Sequence, residues 1–203
     1  HAASATSSVP PSTSPTTNTD TYRILVEITS LFSQRQAAVN RIRLPTSELA
    51  DFASPWLGIG GCSTDAISTA QRGNGETTRT RCTGGIVTSY WITYRSLADR
   101  DAAHARYRTQ AMITPHLAPG ATAPTQQTAA GREVQYIEYA YRIATGDRAG
   151  SIVAAIWWSD PAKPFAGVFT CYWNDLAFSW TPIRDLWTQA DTAPQSTIAG
   201  SGR

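Results

Sequence analysis

Three strand-like runs in the C-terminal half of the chain place the tightest constraint on its fold. They are "EVQYIEYAYRI" (133–143), "SIVAAIWW" (151–158) and "FAGVFTCYW" (165–173), joined by the turn sequences "TGDRAG" and "DPAKP". The first run alternates in polarity, and the second is apolar on both faces, as a central strand should be. These runs predict three strands of an antiparallel sheet.

Two further strands and a set of helices complete the predicted fold. Ser96 and Asp99 have the spacing of an N-cap and its partner, which predicts a helix from there to about Met112. A short helix is predicted from Ser47 to about Ala53, and Pro182 suits the first turn of a last helix. We expect an α+β fold in which helices pack mainly on one face of an antiparallel sheet of about five strands. The expected strands lie near 77–82, 86–94, 134–143, 151–158 and 165–173.

Two segments are harder to assign. Between Tyr22 and Arg43, an apolar stripe that includes Ile28 and Phe32 fits a helix, whereas the β-branched run "RILVEIT" suits a strand; we favour the helix. The segment Thr114–Gly131 is rich in Pro, Thr and Ala and is predicted as a long loop.

The two ends of the chain differ in composition from its middle. Residues 1–20 are almost entirely Ser, Thr, Ala and Pro, and residues 191–203 have a similar character. Such sequences bury too little apolar surface to offset the entropy of ordering them. We therefore predict a linker or tether over 1–20, a single domain over 21–190 and a flexible tail over 191–203.

Charge and hydropathy argue against a nucleic-acid partner and against a transmembrane helix. The net charge is only +2 and 16% of residues are charged, which argues against a nucleic-acid partner. The longest apolar run, Ile152–Trp158, is far shorter than the ~20 residues of a transmembrane helix. We expect no transmembrane segment in this chain.

Cys62 and Cys82 flank a polar loop centred on Asn74-Gly75. A zinc site would need four ligands in closely spaced pairs, and a reactive thiol would need an activating neighbour; the sequence supplies neither. We favour a disulfide, which predicts an oxidising, extracytoplasmic location. A two-residue turn at Asn74-Gly75 would place Cys82 opposite Ile67, so the bridge requires a bend in the first arm. Cys171 is predicted to be a buried free thiol, with an intermolecular bridge as the alternative.

No catalytic or metal-binding motif stands out. His104 and His116 lie outside any recognised metal or nucleophile motif, and the glycine cluster Gly58–Gly61 has no phosphate-binding spacing. His1 could suggest an N-terminal copper site, but a terminus of this composition cannot hold the required geometry. We expect no enzymatic activity, no cofactor and no metal.

Aromatic residues crowd the three C-terminal strands beyond what one inward sheet face can use. Outward-facing members would form a patch suited to stacking against glycans or to protein association. The candidates for this ligand or assembly surface are Tyr136, Tyr139, Tyr141, Trp157, Trp158, Tyr172 and Trp173.

The order of these features resembles a known family. A helix rich in Leu and Pro precedes Cys62, and Cys82 is followed by "IVTSYWITY" and "SLADRDAAHARYRTQ"; later come an aliphatic strand that ends in Trp and the closing "IRDLW". This pattern, from about Leu44 to Trp187, is similar to the extracytoplasmic domains of actinobacterial membrane-anchored Ser/Thr kinases and related secreted proteins. The resemblance implies a non-catalytic sensor module on a Pro/Ser/Thr linker, and it transfers no binding residues. Those domains often carry a further cysteine pair, whereas Cys171 has no evident partner.

Two functions follow as hypotheses. The first is an extracytoplasmic module that senses or binds a small ligand or a cell-wall glycan and is carried on the Ser/Thr/Pro tether. The second is a secreted structural subunit that assembles with copies of itself. A concave pocket lined by aromatic residues would favour the first, and a flat apolar patch would favour the second.

Overall fold

The computed structural model describes Ser8, Pro11 and residues 18–191. Most of the predicted linker and tail therefore lies outside the described residues; Asn18–Asp20 begin the first helix and Asp191 ends the last turn. Single-turn 3₁₀ helices lie at Ser54–Trp56, Thr69–Gln71 and Gln189–Asp191. The longer elements, in chain order, are α1 (Asn18–Arg43), α2 (Ser47–Ala53), β1 (Gly61–Cys62), β2 (Glu76–Gly84), β3 (Val87–Tyr94), α3 (Leu97–Leu117), β4 (Thr125–Ala129), β5 (Arg132–Arg142), β6 (Ile152–Ser159), β7 (Phe165–Tyr172) and α4 (Thr181–Thr188).

One antiparallel sheet organises the described residues, in the order β1-β2-β3-β7-β6-β5-β4. The α+β class with an antiparallel sheet is thus confirmed, but the sheet has seven strands rather than about five. The two additional strands are its edges. β1 is only two residues long, and β4 has the polar sequence "TQQTA". Neither shows the apolar alternation from which a strand is recognised.

Helices cover both faces of the sheet, so the expectation of helices mainly on one face is wrong. On one face, Ala103, Tyr107 and Ala111 of α3 pack against the side of the sheet that carries Trp157. On the other face, Trp56 and Trp187 pack against the side that carries Trp158. β6 is apolar on both faces, and each face therefore needs its own cover to be removed from water.

The helix assignments from sequence are confirmed, with one change of length. α1 resolves the ambiguous segment as a helix. Ser96 caps α3 by accepting a hydrogen bond from the Asp99 amide at 3.1 Å. α3 continues beyond Met112 and accommodates Pro115 in its last turn. None of the helices in the described part of the chain is both long and apolar enough to cross a bilayer.

Cys62 and Cys82 form a disulfide, as predicted. Cys62 of β1 lies directly opposite Cys82 of β2. The predicted register, with Ile67 opposite Cys82, is therefore wrong. The first arm of the expected hairpin is not a strand. Instead, Gly75 adopts a positive φ of 80° and its carbonyl accepts a hydrogen bond from the Arg95 amide at 2.8 Å.

A buried ion pair joins the sheet to the last helix. Glu138 of β5 is 1% exposed and accepts two hydrogen bonds from the Arg184 guanidinium, both at 2.7 Å. The Tyr136 hydroxyl and the Thr122 amide each donate to the same carboxylate at 2.6 Å. These four donated bonds satisfy the carboxylate in a buried position where an unpaired charge would be costly.

The disulfide should contribute strongly to stability because it closes a loop of 20 residues. The chain-entropy model assigns about 3 kcal/mol to a loop of this length. We expect the double variant Cys62→Ala with Cys82→Ala to lose about that much free energy of unfolding, measured by urea denaturation. Cys171→Ala serves as the cysteine control. A loss below about 1 kcal/mol would contradict the assigned role.

Removal of one partner of the buried ion pair should be costly. Arg184→Met leaves the Glu138 carboxylate buried and unpaired, and we expect a loss of about 3 kcal/mol in urea denaturation. The matched control is Arg95→Met, which breaks an exposed pair with Asp99 and should cost less than about 1 kcal/mol. Equal losses in the two variants would show that the pair with Glu138 is not structural. The double variant Glu138→Gln with Arg184→Met should recover part of the loss.

Candidate functional site

The C-terminal half of α1 is fixed to the domain by a buried asparagine. The Asn40 side chain is fully buried and donates hydrogen bonds to the carbonyls of Leu57 and Gly60. Its oxygen accepts from the Cys62 amide at 2.9 Å, and the Arg43 guanidinium donates to the Cys62 carbonyl, also at 2.9 Å. The helix is thereby attached to the glycine-rich loop and to the disulfide.

A cleft of about 990 Å³ opens beside this anchored part of α1. One side is α1 between Ser33 and Arg41, and another is the 3₁₀ segment between Ser54 and Gly58. The end of α2 with Asp51, the end of β4, the start of β5 and Asp160 complete the lining. The buried apolar residues of its lining are Phe52, Trp56, Leu57, Ala129 and Val134.

Trp56 makes this floor rigid by packing into the aromatic core. Its ring lies 4.8 Å from that of Trp158 and 5.9 Å from that of Trp91, measured between centroids. Its indole N–H donates to the Trp187 carbonyl at 2.9 Å. Trp56 therefore has no freedom to turn away from the cleft, and the apolar floor is pre-formed.

Two arginine–aspartate pairs from different elements line the cleft. Arg41 of α1 pairs with Asp51, and Arg132 of β5 pairs with Asp160 at 3.2 Å. Both guanidinium side chains keep solvent access, at 42% and 60% exposed. Asp160 is nearly buried and also accepts from the amides of Ala162 and Lys163. An apolar floor beside two accessible guanidinium groups suits a ligand with an apolar body and an anionic group.

A second cavity, of about 590 Å³, lies between α3 and the segment 121–124. Its lining includes Met112, Pro115 and Pro124, with Arg108 as the charged member. It is smaller than the α1 cleft and contains no aromatic residue. We therefore treat the α1 cleft as the candidate site.

The seven aromatic residues proposed from sequence do not lie together on one surface. Tyr141 is 36% exposed and Tyr172 is partly exposed. The other five are buried. Tyr136, Tyr139, Trp157 and Trp158 lie on strands whose two faces are covered by helices, and Trp173 packs against Phe178 and Trp180.

A small group of tyrosines does remain at one end of the sheet. Tyr141 stacks on Tyr139 at a centroid distance of 6.2 Å. The guanidinium groups of Arg79 and Arg148 lie over the rings of Tyr90 and Tyr172 respectively, each at 4.4 Å. Because these cations already cover two of the ring faces, the group is less open to a stacking ligand than the cleft is.

The cleft residues were missed in the sequence because no local pattern marks them. Phe52 and Trp56 flank Pro55 in "DFASPW", and two large aromatics beside a helix-ending proline are the one available signal. Arg41 and Arg132 lie far apart in the chain, and only the fold brings them to the same cleft.

The other residues considered for chemistry are not gathered into one site. His104 is half-buried against the ring of Trp157, and burial together with Arg108 lowers its pKa. His116 is exposed at the end of α3, and His1 lies outside the described residues. Gly58–Gly61 form the loop that Asn40 holds. Within residues 18–191, no three His, Cys, Asp or Glu side chains are grouped as metal ligands.

Comparisons with protein-family models, with curated proteins and with solved structures found no match to this chain. The similarity to extracytoplasmic kinase domains therefore stays a prediction from the sequence pattern.

Cys171 should react slowly while the protein is folded. Burial, with a smaller contribution from the Asp175 carboxylate, raises the pKa of its thiol to about 11. At pH 8 the folded protein therefore holds almost no thiolate, whereas an unfolded cysteine with a pKa near ~8.5 is partly ionised. We expect iodoacetamide to modify Cys171 at least roughly 100-fold more slowly in native protein than in urea, as followed by mass spectrometry.

The same shift sets the direction of a pH effect on stability. A raised pKa in the folded state means that the contribution of Cys171 to the free energy of unfolding is fully present below the unfolded pKa and is lost as pH rises toward about 11.

In the iodoacetamide experiment, Cys171→Ser provides the unlabelled control. Modification at the unfolded rate, in protein whose circular dichroism is native, would show that the thiol is accessible.

Proposed function

We propose that the protein is a non-catalytic binding module that acts outside the cytoplasm and holds a small amphipathic anion in the α1 cleft. The observation that carries this proposal is the pre-formed floor of Phe52 and Trp56 beside the accessible guanidinium groups of Arg41 and Arg132. Ligand sites are typically concave and mostly apolar, with a few polar groups that orient the ligand.

The location is supported by the disulfide. Bridges of this kind form and persist in oxidising compartments, which include the bacterial cell surface. The Ser/Thr/Pro-rich residues 1–20 suit a tether in such a setting, as does the resemblance to extracytoplasmic sensor domains.

The ligand class follows from the chemistry of the lining. A guanidinium group binds carboxylates and phosphates through paired hydrogen bonds, and an indole floor favours a planar or apolar body. Carboxylate-bearing fragments of the cell wall combine both properties. A purely neutral glycan would accept hydrogen bonds from the two arginines but would lack the charge assistance that a carboxylate or phosphate gains.

The absence of catalysis is part of the proposal. It is supported by the separation of the two described histidines, one of which packs on a buried tryptophan while the other is exposed. It is also supported by the raised pKa of Cys171, which disfavours the thiolate that a nucleophile requires.

A fluorescent amphipathic anion, 1-anilinonaphthalene-8-sulfonate, can test the cleft directly. We expect saturable binding to the native protein with one site per chain. Arg41→Gln and Arg132→Gln should each weaken binding at least roughly tenfold, because each removes a charge-assisted hydrogen bond. Arg81→Gln, an exposed arginine on β2 outside the cleft, is the matched control and should leave the affinity unchanged.

Displacement of the same dye then tests for a natural ligand. Muropeptides, acidic glycans and small carboxylates would be screened as competitors, with neutral oligosaccharides as the comparison. Displacement by an anionic class, lost in Arg132→Gln, supports the proposal. Equal binding of the dye to all three arginine variants, or no competitor from any anionic class, would contradict it.

The alternative function, a self-assembling structural subunit, has one observation in its favour, which supports association of copies but not a filament. Part of α1 exposes a run of large apolar side chains. A filament requires two different complementary surfaces on each copy, whereas a single shared stripe closes into a dimer.

A further inference from the structure

The N-terminal half of α1 extends away from the domain. Every residue from Asn18 to Arg35 is exposed, and the first residues of α1 that are even partly buried are Gln36 and Ala37. The exposed residues include large apolar side chains whose accessible fractions run from 44% to 71%: Tyr22, Ile24, Leu25, Val26, Ile28, Leu31 and Phe32.

Such a segment is not expected to remain uncovered in water. Seven of the eleven residues in "YRILVEITSLF" are large and apolar, and only Arg23 and Glu27 are charged. A helix that is apolar over most of its circumference is normally buried, and helices of this length draw most of their stability from packing. A partner surface is therefore required.

The spacing of the apolar residues specifies the shape of that partner. Leu25, Phe32 and Val39 recur every seven residues. Ile28 follows Leu25 by three residues, and Ile42 follows Val39 by three. This is the a and d pattern of a coiled coil, with Arg35 at the d position between Ile28 and Ile42. The pattern calls for another helix.

This stripe is not the side of α1 that contacts the domain. The domain side is defined by Ser33, which donates to the Gly58 carbonyl, and by the buried Asn40. At 100° per residue, Leu25 and Phe32 lie roughly 60–100° around the helix from Ser33 and Asn40, and Ile28 lies roughly 120–140° from them. The stripe is therefore available along the whole projecting part of α1.

The other segments of this 203-residue sequence carry few side chains that could cover the stripe. Outside the described residues, the only large aliphatic or aromatic side chains in the sequence are Val9 and Ile198. A membrane surface is also a poor match, because residues 18–34 carry Asp20 and Glu27 against Arg23 alone. Helices that lie on anionic membranes are rich in Lys and Arg.

We propose that a second copy of this chain covers the stripe, so that two α1 helices pair and the protein is a dimer. Each copy contributes the same side chains, as a two-fold interface requires. The seam consists of Leu25, Ile28 and Phe32, flanked by Ile24 and Leu31. About half or more of each of these side chains is exposed, and Tyr22 lies at the edge of the seam. Pairing could therefore bury on the order of 600 Å² of accessible surface per copy, somewhat below the ~800 Å² of a standard interface. The dimer should accordingly be of moderate affinity.

Arg35 limits the seam to the projecting half of α1. It interrupts the apolar pattern next to the part of the helix that lines the cleft, so the paired region and the cleft use different segments. Pairing and cleft binding therefore use different side chains of α1, and the two properties can be tested separately.

Sedimentation equilibrium of the full 203-residue chain tests the pairing. We expect the mass to rise with concentration from 21.9 kDa toward twice that value and no further. The variant Leu25→Asp with Phe32→Asp should stay monomeric over the same range, since it places charges in the seam. Met112→Asp, at an apolar position 78% exposed on α3, is the matched control and should dimerise as the parent does.

Folding and cleft binding are checked in the same samples. The double variant should keep the circular dichroism of the domain and its affinity for 1-anilinonaphthalene-8-sulfonate, because both substituted residues lie outside the cleft. If the aspartates disturb folding, Leu25→Ala with Phe32→Ala should still weaken association at least roughly tenfold, through lost apolar burial.

Three outcomes would overturn the proposal. The first is a parent chain that stays monomeric at every concentration. The second is a dimer that persists in the aspartate variant, which would place the interface elsewhere. The third is binding of the parent, but not of the variant, to phosphatidylglycerol vesicles, which would make the stripe a membrane contact.

Discussion

The packing of Trp56 onto the sheet is the contact on which the remaining architecture depends. It brings the segment after α2 against Trp91 and Trp158 and, through its indole N–H, holds the last turn of α4. Gly167 makes this possible, because a Cβ at that position would overlap the rings of both Trp158 and Trp91. Since the same indole is the floor of the cleft, core packing and the candidate binding surface are one feature.

α1 combines two halves with different physical requirements. Its C-terminal half is fixed by Asn40, whose hydrogen bonds satisfy the glycine-rich loop and the backbone beside the disulfide. Its N-terminal half has the composition of a buried helix and no cover within the described part of the chain. The C-terminal half shapes the cleft wall and the N-terminal half provides an apolar stripe, so one helix carries two separate surfaces.

The sequence was informative where one residue pattern determines one local structure. The strands β5, β6 and β7 and the Ser96 cap were predictable because alternation and capping are local. β4 was not, because an edge strand with a polar sequence carries no apolar period. The buried position of Trp157 and Trp158 was also not predictable, because it depends on helices from distant parts of the chain that cover both faces. The cleft has the same origin: Arg41 and Arg132 become neighbours of one floor only after α1 is anchored.

Amide chemical-shift mapping on ¹⁵N-labelled protein tests the central claim most directly. The strongest anionic competitor from the dye displacement would be titrated into the native chain. The account predicts shifts concentrated along Ser33–Arg41, Ser54–Gly58 and the first residues of β5, with the end of the sheet around Tyr90 and Tyr172 unaffected. Shifts confined to the tyrosine end of the sheet, with the cleft unperturbed, would contradict it.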